Sequence, residues 1–416
     1  MFTTEPSLTQ RIGRMIGDTT IIDPQTQIRC DRPGALDLAA LMGDPHVLAD
    51  LASVGMPPTD LDAGLPADER VLRSLPYLKR ARNTSASWCL YRIFRDLYDF
   101  DEPHLDPTNY RSLFEKVASS AQEPDWARAI LVDRARITTF VTGIEDRAEG
   151  SSVLSERALY RVDAPWASFV GLGKLAEILG ELPATGARLE RLIFDWLDRS
   201  LAGDARFVTL PCPVGPTLAS LDGASLDSSW ARFSTGRPTS IAEQEALAMG
   251  VARSIFRWHE EHRRTLRLVA PVARANSSRD RLLENLNEIL AAFPHARFDL
   301  MLGPAVGHRD QDAMASRWPH VSVSGIGWKD ASARSIAETL GHRVQAVAAV
   351  KVVGFSSDAS SVEWAYGRLQ LAKKAMGSAL GRLIEDGFFE EDELLPLIRQ
   401  ILHDSPRDRL GLETPR

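Results

Sequence analysis

Eight short apolar runs punctuate the chain, and between them apolar side chains recur at helical spacing. The runs are TTIID (19–23), ITTFVTG (137–143), ALYRVDA (158–164), ARFVTLPCPV (205–214), TLRLVAPVA (265–273), ARFDLMLG (296–303), VSVSGIG (321–327) and VAAVKVVGFSSDA (347–359). Such near-continuous apolar runs suit strands of a parallel sheet covered on both faces, and eight of them alternating with helices is the number of a closed (β/α)8 barrel. GLGKLAEILGEL, IAEQEALAMGVARSIFRWHEEHRR and SSRDRLLENLNEILAAF carry the helical pattern, the last opening on Ser and Asp cap candidates. Residues 34–135 contain no strand-like run. Leu, Ala, Arg and Asp recur there at helical spacing, broken by Pro and Gly, which predicts a large helical insertion after the first strand. The expected fold is therefore α/β, a TIM (β/α)8 barrel. Residues 1–33 carry the N-terminal segment and first strand, 34–135 the insertion, and 136–416 the rest of the barrel, with closing helices over 373–402.

Composition narrows the partners more than the fold. With 44% hydrophobic and 25% charged residues the chain is ordinary globular protein. It has no apolar stretch of about 18 residues, so no membrane span is expected. The net charge of −7 (49 Lys+Arg against 56 Asp+Glu) gives no electrostatic reason to bind nucleic acid. Cys30, Cys89 and Cys212 are widely spaced and form no zinc pattern. That usage, and an N-terminus (MFTTEPSLTQRIGRM) with no apolar secretory core, lead to an expected cytoplasmic location. A small-molecule substrate is the expected partner, and homo-oligomerisation stays open.

Residues 18–28, DTTIIDPQTQI, end an apolar run in a polar alternation, Gln25-Thr26-Gln27. If the strand continues, both amides point the same way. The segment resembles the first strand of the amidohydrolase superfamily, within it the uronate isomerase branch, where an apolar strand ends in Asp-x-His-x-His. FPHARFDLMLGPAVGH is similar to that family's sixth-strand FPxxxFxLLHGG, WPHVSVSGIGW to its seventh-strand xPNVYxDxSW, and VVGFSSDASSVEWAYGRLQLAKKAMGSAL to its eighth-strand segment. The resemblance is clearest over 18–28 and about 290–402. A long helical stretch after the first strand belongs to the same pattern.

In that family the two first-strand histidines and the eighth-strand aspartate hold a divalent metal, and many members add histidines from strands 5 and 6. Here the first pair is Gln25 and Gln27, the strand-5 run LRLVAPVAR has no histidine, and Leu302 stands at the strand-6 position. Asp358 alone matches. An amide oxygen is a weak, hard, neutral ligand, whereas imidazole nitrogen suits Zn²⁺, Mn²⁺ or Fe²⁺, so no metal and no other cofactor is expected. The resemblance makes Asp358 the acid/base candidate; the residues alone also allow Ser357, Asp358 or Ser360 to cap the helix that follows. Gln25 and Gln27 either orient a hydroxyl- or carboxylate-bearing ligand or satisfy each other and water. Arg161, with Asp163, stands where the isomerases have an Arg-Pro-Asp element; it either clamps a carboxylate or forms an interstrand ion pair. Arg274 follows the fifth run; Trp328 matches the family's seventh-strand Trp and either stacks on a sugar or ring or packs in the core; His308 is the histidine placed to act as a second catalytic acid or base, or else is a surface-loop histidine. His259 and His262 are one residue short of a zinc-binding HExxH and are expected on a solvated helix face. The run EEDE (390–393) reads as a helix-start charge cluster.

The chain thus reads as an amidohydrolase-like barrel without the usual metal site. It would act on a small polar, carboxylate-bearing substrate by acid/base chemistry: isomerisation, elimination or decarboxylation. Two alternatives stay open. One is a catalytically silent homologue that binds a ligand or partner; the other is an ordinary metal-dependent hydrolase or isomerase whose ligands lie elsewhere in the sequence.

Overall fold

The structure is a computed structural model; it describes residues 8–62, 64–147, 154–270, 279–303, 306–325 and 332–412. In chain order, α1 (Leu8–Asp18) leads into β1 (Ile21–Asp23), followed by α2 (Leu38–Met42), α3 (Pro45–Ser53), α4 (Ala67–Arg80), α5 (Ser85–Tyr98), α6 (Tyr110–Ser120) and α7 (Trp126–Arg128), with a π-helical turn at Ala129–Arg134. Then come β2 (Ile137–Gly143), β3 (Ala158–Asp163), α8 (Leu175–Leu179), α9 (Gly186–Leu201), β4 (Ala205–Pro211), α10 (Gly223–Ser234), α11 (Ile241–His262) and β5 (Thr265–Val269). The chain continues through α12 (Arg279–Ala292), β6 (Arg297–Met301), α13 (His308–Arg317), β7 (Val321–Val323), α14 (Ala333–Ala346), α15 (Val362–Glu385), α16 (Leu394–Arg399) and α17 (Ser405–Leu410). Every strand pair with a stated register is parallel. Among the described residues the apolar run 347–359 is a correction to the expected eight strands. A 3₁₀ turn occupies Ala349–Lys351, and isolated bridges at Val352 (to Val323) and at Ser356 stand in place of a strand.

The chain divides into two compact units. The first comprises Met1–Ala158, Ile326–Gly341 and Phe355–His403. In it β1 pairs with β2, Ile22 opposite Thr139 and Asp23 opposite Phe140. The segment between these strands is helical, and α2, α3 and α5 start on local caps: Asp37 accepts from Ala40 N–H, Asp44 from His46 N–H and Thr84 from Ser87 N–H. α15 is buried along most of its length because α1 and α5 both pack on it. Gly367 makes the α5 contact possible: a Cβ there would lie 2.8 Å from Ile93 Cδ1 and 3.3 Å from the Cys89 carbonyl.

The second unit comprises Leu159–Gly325, His342–Gly354 and Asp404–Arg416, and holds β4 to β7 with most of β3. Its sheet carries one polar row. Asp163, Thr209, Arg267, Asp299 and Ser322 are successive register partners across β3 to β7. Paired positions of a parallel sheet share a face, so this row runs across apolar strands; its charged members are satisfied within the protein, while the buried Thr209 hydroxyl has no hydrogen-bond partner among the described residues. Arg267 Nε donates to Asp299 Oδ2 at 2.7 Å, both side chains being fully buried. The hydroxyls of Ser322 and Ser324 donate to Asp299 at 2.9 and 2.8 Å, and the Arg267 guanidinium lies over Phe207. Beside it, buried Asp312 on α13 takes Arg343 Nε at 2.7 Å and His342 Nδ1 at 2.9 Å. Lys351 reaches from the 3₁₀ turn to the carbonyls of Ala315 and Trp318 at the end of α13, where a cation complements the helix dipole.

His259 is a second correction. It is fully buried, with Nδ1 on the Ile255 carbonyl at 2.9 Å, and burial pushes its pKa down to about 4. The apolar stripe of α11 (Ile255, Phe256, Trp258) carries it inward, while His262 stacks on Trp258 at 4.1 Å. Among the described residues no helix is long and apolar enough to cross a membrane.

A buried ion pair resists loss of one partner far more than an exposed one. Asp299→Ala, which strands Arg267, is expected to lower the unfolding free energy by about 3–5 kcal/mol. Arg11→Ala, which removes the half-exposed pair with Glu391, is expected to cost at most about 1 kcal/mol. Urea denaturation of both variants checks this; equal losses would contradict it.

Candidate functional site

β1 ends at Asp23, and the chain runs on through Pro24 without strand structure. The polar alternation beyond it is nevertheless held like a strand, on two sides. Thr26 N–H donates to the Val141 carbonyl at 2.8 Å. On the other side Asp358 N–H donates to the Gln25 carbonyl at 2.7 Å, and Gln27 N–H to the Ala359 carbonyl at 2.8 Å. These last two peptide bonds clamp residues 25–27 against 358–359. The amides do not share an environment: Gln25 is buried and Gln27 exposed. Gln27 Nε2 donates to Asp358 Oδ1 at 3.2 Å, which brings together two residues 331 positions apart. Asp358 Oδ2 has no partner among the described residues.

Asp358 adopts φ +51°, the left-handed region that a short polar side chain tolerates better than most. What holds it there is Arg368, one helical stretch further on. Its Nη1 donates to the carbonyls of Ser357 at 2.7 Å and Asp358 at 2.6 Å, and its Nη2 to Asp44 Oδ2 at 2.5 Å. Asp44 in turn caps α3 through His46 N–H at 3.0 Å. Asp358 is not the helix cap; Ser361 is, accepting from Trp364 N–H at 3.4 Å. Below the clamp, fully buried Glu363 on α15 receives Trp126 Nε1 at 2.8 Å, Ala35 N–H at 3.0 Å and Tyr98 O–H at 3.4 Å. It ties the loop after Gln27 to the helix behind Asp358.

Two groups here were not singled out from the sequence. Asp23 is fully buried. Its Oδ1 accepts from Ser357 N–H at 3.1 Å and Gln25 N–H at 3.3 Å, whereas Oδ2 makes no hydrogen bond among the described residues. Burial pushes its pKa up to about 6; hydrogen bonds from Ser357 and Gln25 oppose the rise and the neighbouring Asp358 charge adds to it. His46 is held below the usual imidazole range, first by burial and then by Arg368, with Asp44 and Asp358 acting the other way. An Asp at a strand end and a His after a helix-opening Pro are common local patterns; neither shows in sequence that α15 will meet it.

The remaining sequence candidates fall elsewhere. Arg161 is buried on β3 and its Nε meets Asp163 at 3.0 Å, an i,i+2 pair on one strand. His308 opens α13 and, like Arg161, belongs to the second unit. Arg274 and Trp328 lie outside the described residues. The three cysteines are buried and form no disulfide, and burial pushes the Cys89 thiol up to about 12 and Cys212 up as well, which leaves both thiols protonated and inert. The EEDE run forms a capping box, Glu390 with Glu393, beside the Arg11–Glu391 pair.

Among the described residues no three His, Cys, Asp or Glu side chains cluster as a metal site. The groups gathered at the clamp are Asp358, with Oδ1 on Gln27, the buried carboxyl of Asp23 and the imidazole of His46. The amides of Gln25 and Gln27 bring no nitrogen lone pair to a transition metal.

The chain is similar in structure to a uronate isomerase from Thermotoga maritima, with a TM-score of 0.81, 13% identity, and 99% of this chain and 100% of that one covered. It is similar to a glucuronate isomerase from Caulobacter crescentus (TM-score 0.82, 14% identity, 100% and 96% covered) and to a uronate isomerase from Bacillus halodurans (TM-score 0.72, 12% identity, 98% of each covered). No protein-family model matches the chain. No curated protein matches it either. At these identities the likeness is one of fold: α/β with parallel strands over nearly the whole length, in keeping with the barrel class expected from the apolar runs.

The raised Asp23 gives a pH test. A buried acid whose folded pKa exceeds its unfolded value near 3.8 favours the folded state most below that value, and the advantage is lost as pH rises through about 6. Asp23→Asn removes the buried charge and is expected to gain up to roughly 3 kcal/mol at pH 7.5 relative to wild type, with the gain vanishing near pH 4. Melting curves at the two pH values check this; a variant equally offset at both would contradict it.

Proposed function

We propose that the chain is an enzyme acting on a small sugar acid or a similar polar carboxylate, by proton transfer at Asp358 and without a transition metal. The observation that carries this reading is the posture of Asp358: backbone fixed by Arg368 and by the Gln25 carbonyl, one carboxylate oxygen on Gln27, the other without a partner. A carboxylate so placed can take a proton from the carbon beside a substrate carbonyl and return it to the neighbouring carbon. Together with passage of the adjacent hydroxyl's proton to the former carbonyl oxygen, that exchange shifts a carbonyl along a sugar chain, conserves atoms and electrons, and needs no activated water. The Gln27 amide, which donates to Asp358, orients it and offers its carbonyl oxygen to a substrate hydroxyl. Asp23, with its elevated pKa, is a neighbouring group that can hold a proton near neutrality. Uronate isomerisation, the activity for which the similar structures are named, is the first to try. The replacement of the family's histidines by Gln25 and Gln27 is the part of the proposal that sets this chain apart from them.

Deuterium incorporation next to the carbonyl of hexuronates in D2O, followed by NMR after exhaustive chelation, is the test. Wild-type exchange is expected to survive chelation. Asp358→Asn is expected to lower it by about 100-fold or more, as for loss of a general base, while Gln27→Ala acts mainly on KM. Exchange that vanishes on chelation and returns with Mn²⁺ or Zn²⁺ would overturn the metal-free reading. Binding of hexuronates with no exchange would overturn the enzymatic one.

A further inference from the structure

The second unit carries a groove of about 630 Å³ at the end of its strands opposite to the carboxyl ends. Its walls come from the residues that lead into β5, β6 and β7: Arg263, Pro294 with His295, Arg297, and Pro319 with His320; Val350, Asp408 and Arg409 close it. The charge is lopsided. Arg263 caps α11 in the left-handed region, at φ +50°, and is exposed, as is Arg297 at the first position of β6. Neither side chain has a hydrogen-bond or ion-pair partner among the described residues.

The nearby acids are spoken for. Asp408 Oδ1 takes Arg407 Nε at 2.7 Å, and Glu260 Oε2 takes the N–H groups of His295 and Ala296 at 2.8 and 2.6 Å. Arg409 Nε is fixed on the Val350 carbonyl at 2.8 Å, which anchors that guanidinium at the rim. Burial, and after it the like charge of Arg297, hold Arg409 below the usual guanidinium range, with Asp408 and Asp299 acting the other way, so the two cations Arg297 and Arg409 repel one another. Such a gathering costs free energy unless something anionic is shared between the guanidiniums, whose planar forks suit phosphate oxygens.

We propose that this groove is a binding site for a small phosphorylated molecule, its phosphate held by Arg263, Arg297 and Arg409. The volume lies in the range of metabolite pockets, about 300–1,000 Å³. Pro294, Pro319 and Val350 supply a stiff apolar wall for a carbon skeleton. The chain's net charge of −7 argues against a nucleic-acid backbone as the occupant. The site is independent of the clamp at Asp358 and does not rest on the proposed reaction.

Titration calorimetry of the full chain with inorganic pyrophosphate at about 50 mM ionic strength is the test, with citrate as the carboxylate probe. Pyrophosphate is expected to bind more tightly than citrate. Arg263→Gln and Arg297→Gln, both at exposed positions without partners, are each expected to weaken it by about tenfold with unchanged melting temperature, and together to abolish it. Arg334→Gln, on the exposed side of α14, is expected to leave it unchanged. No pyrophosphate binding, citrate binding as tightly, equal weakening by Arg334→Gln, or indifference to the groove variants would each overturn the proposal. So would binding of an oligonucleotide in preference to pyrophosphate.

Discussion

The guanidinium of Arg368 is the tie on which the first unit's polar centre depends. It sits in the body of α15, almost wholly buried, and binds one side chain and two backbone carbonyls. Those carbonyls belong to residues 357 and 358, and the side chain, Asp44, starts a helix between β1 and β2. Burial pulls Arg368 below its usual range while Asp44, Asp358 and Asp23 pull it back. A cation so placed is tolerable only because every one of those acceptors is in reach; removing one would leave charge stranded in an apolar setting. The left-handed turn at Asp358 is thus held from behind, by chemistry that never faces a ligand.

The second unit solves a similar problem differently. Its polar row spans neighbouring strands at a single register level, and the buried charges in it are satisfied across strands: Arg267 by Asp299, and Asp299 by Ser322 and Ser324. Asp312 and Lys351 extend the same economy to α13, one engaging Arg343 and His342, the other the helix's last carbonyls. Charge in this interior fixes positions along the strands, which apolar contacts alone would leave free to slide.

Much of this architecture is legible in the sequence because it is local. ITTFVTG is β2 to the residue, and the other apolar runs up to β7 coincide with strands that stop a few residues early. β7 ends at Val323, shortly before Gly325 turns at φ +82°. The stretch 347–359 reads as a strand by composition, yet the 3₁₀ turn, the reach of Lys351 and the left-handed Asp358 break it up. What is not legible is what closes over distance. Arg368 and Asp44 lie 324 positions apart, Gln27 and Asp358 331, and no periodicity links them. His259 was misread for a related reason: a polar residue beside Glu260 and Glu261 looks solvated until the helix's apolar stripe is placed against its neighbours. Arg161 went the other way, finding its carboxylate within its own strand.

The backbone clamp between residues 25–27 and 358–359 has a consequence of its own. It is written entirely in peptide groups, Asp358 N–H to Gln25 and Gln27 N–H to Ala359, so the frame does not consult the side chains it displays. Positions 25 and 27 therefore behave as a mount: their side chains can be exchanged while the peptide groups that hold the frame stay paired, bond by bond.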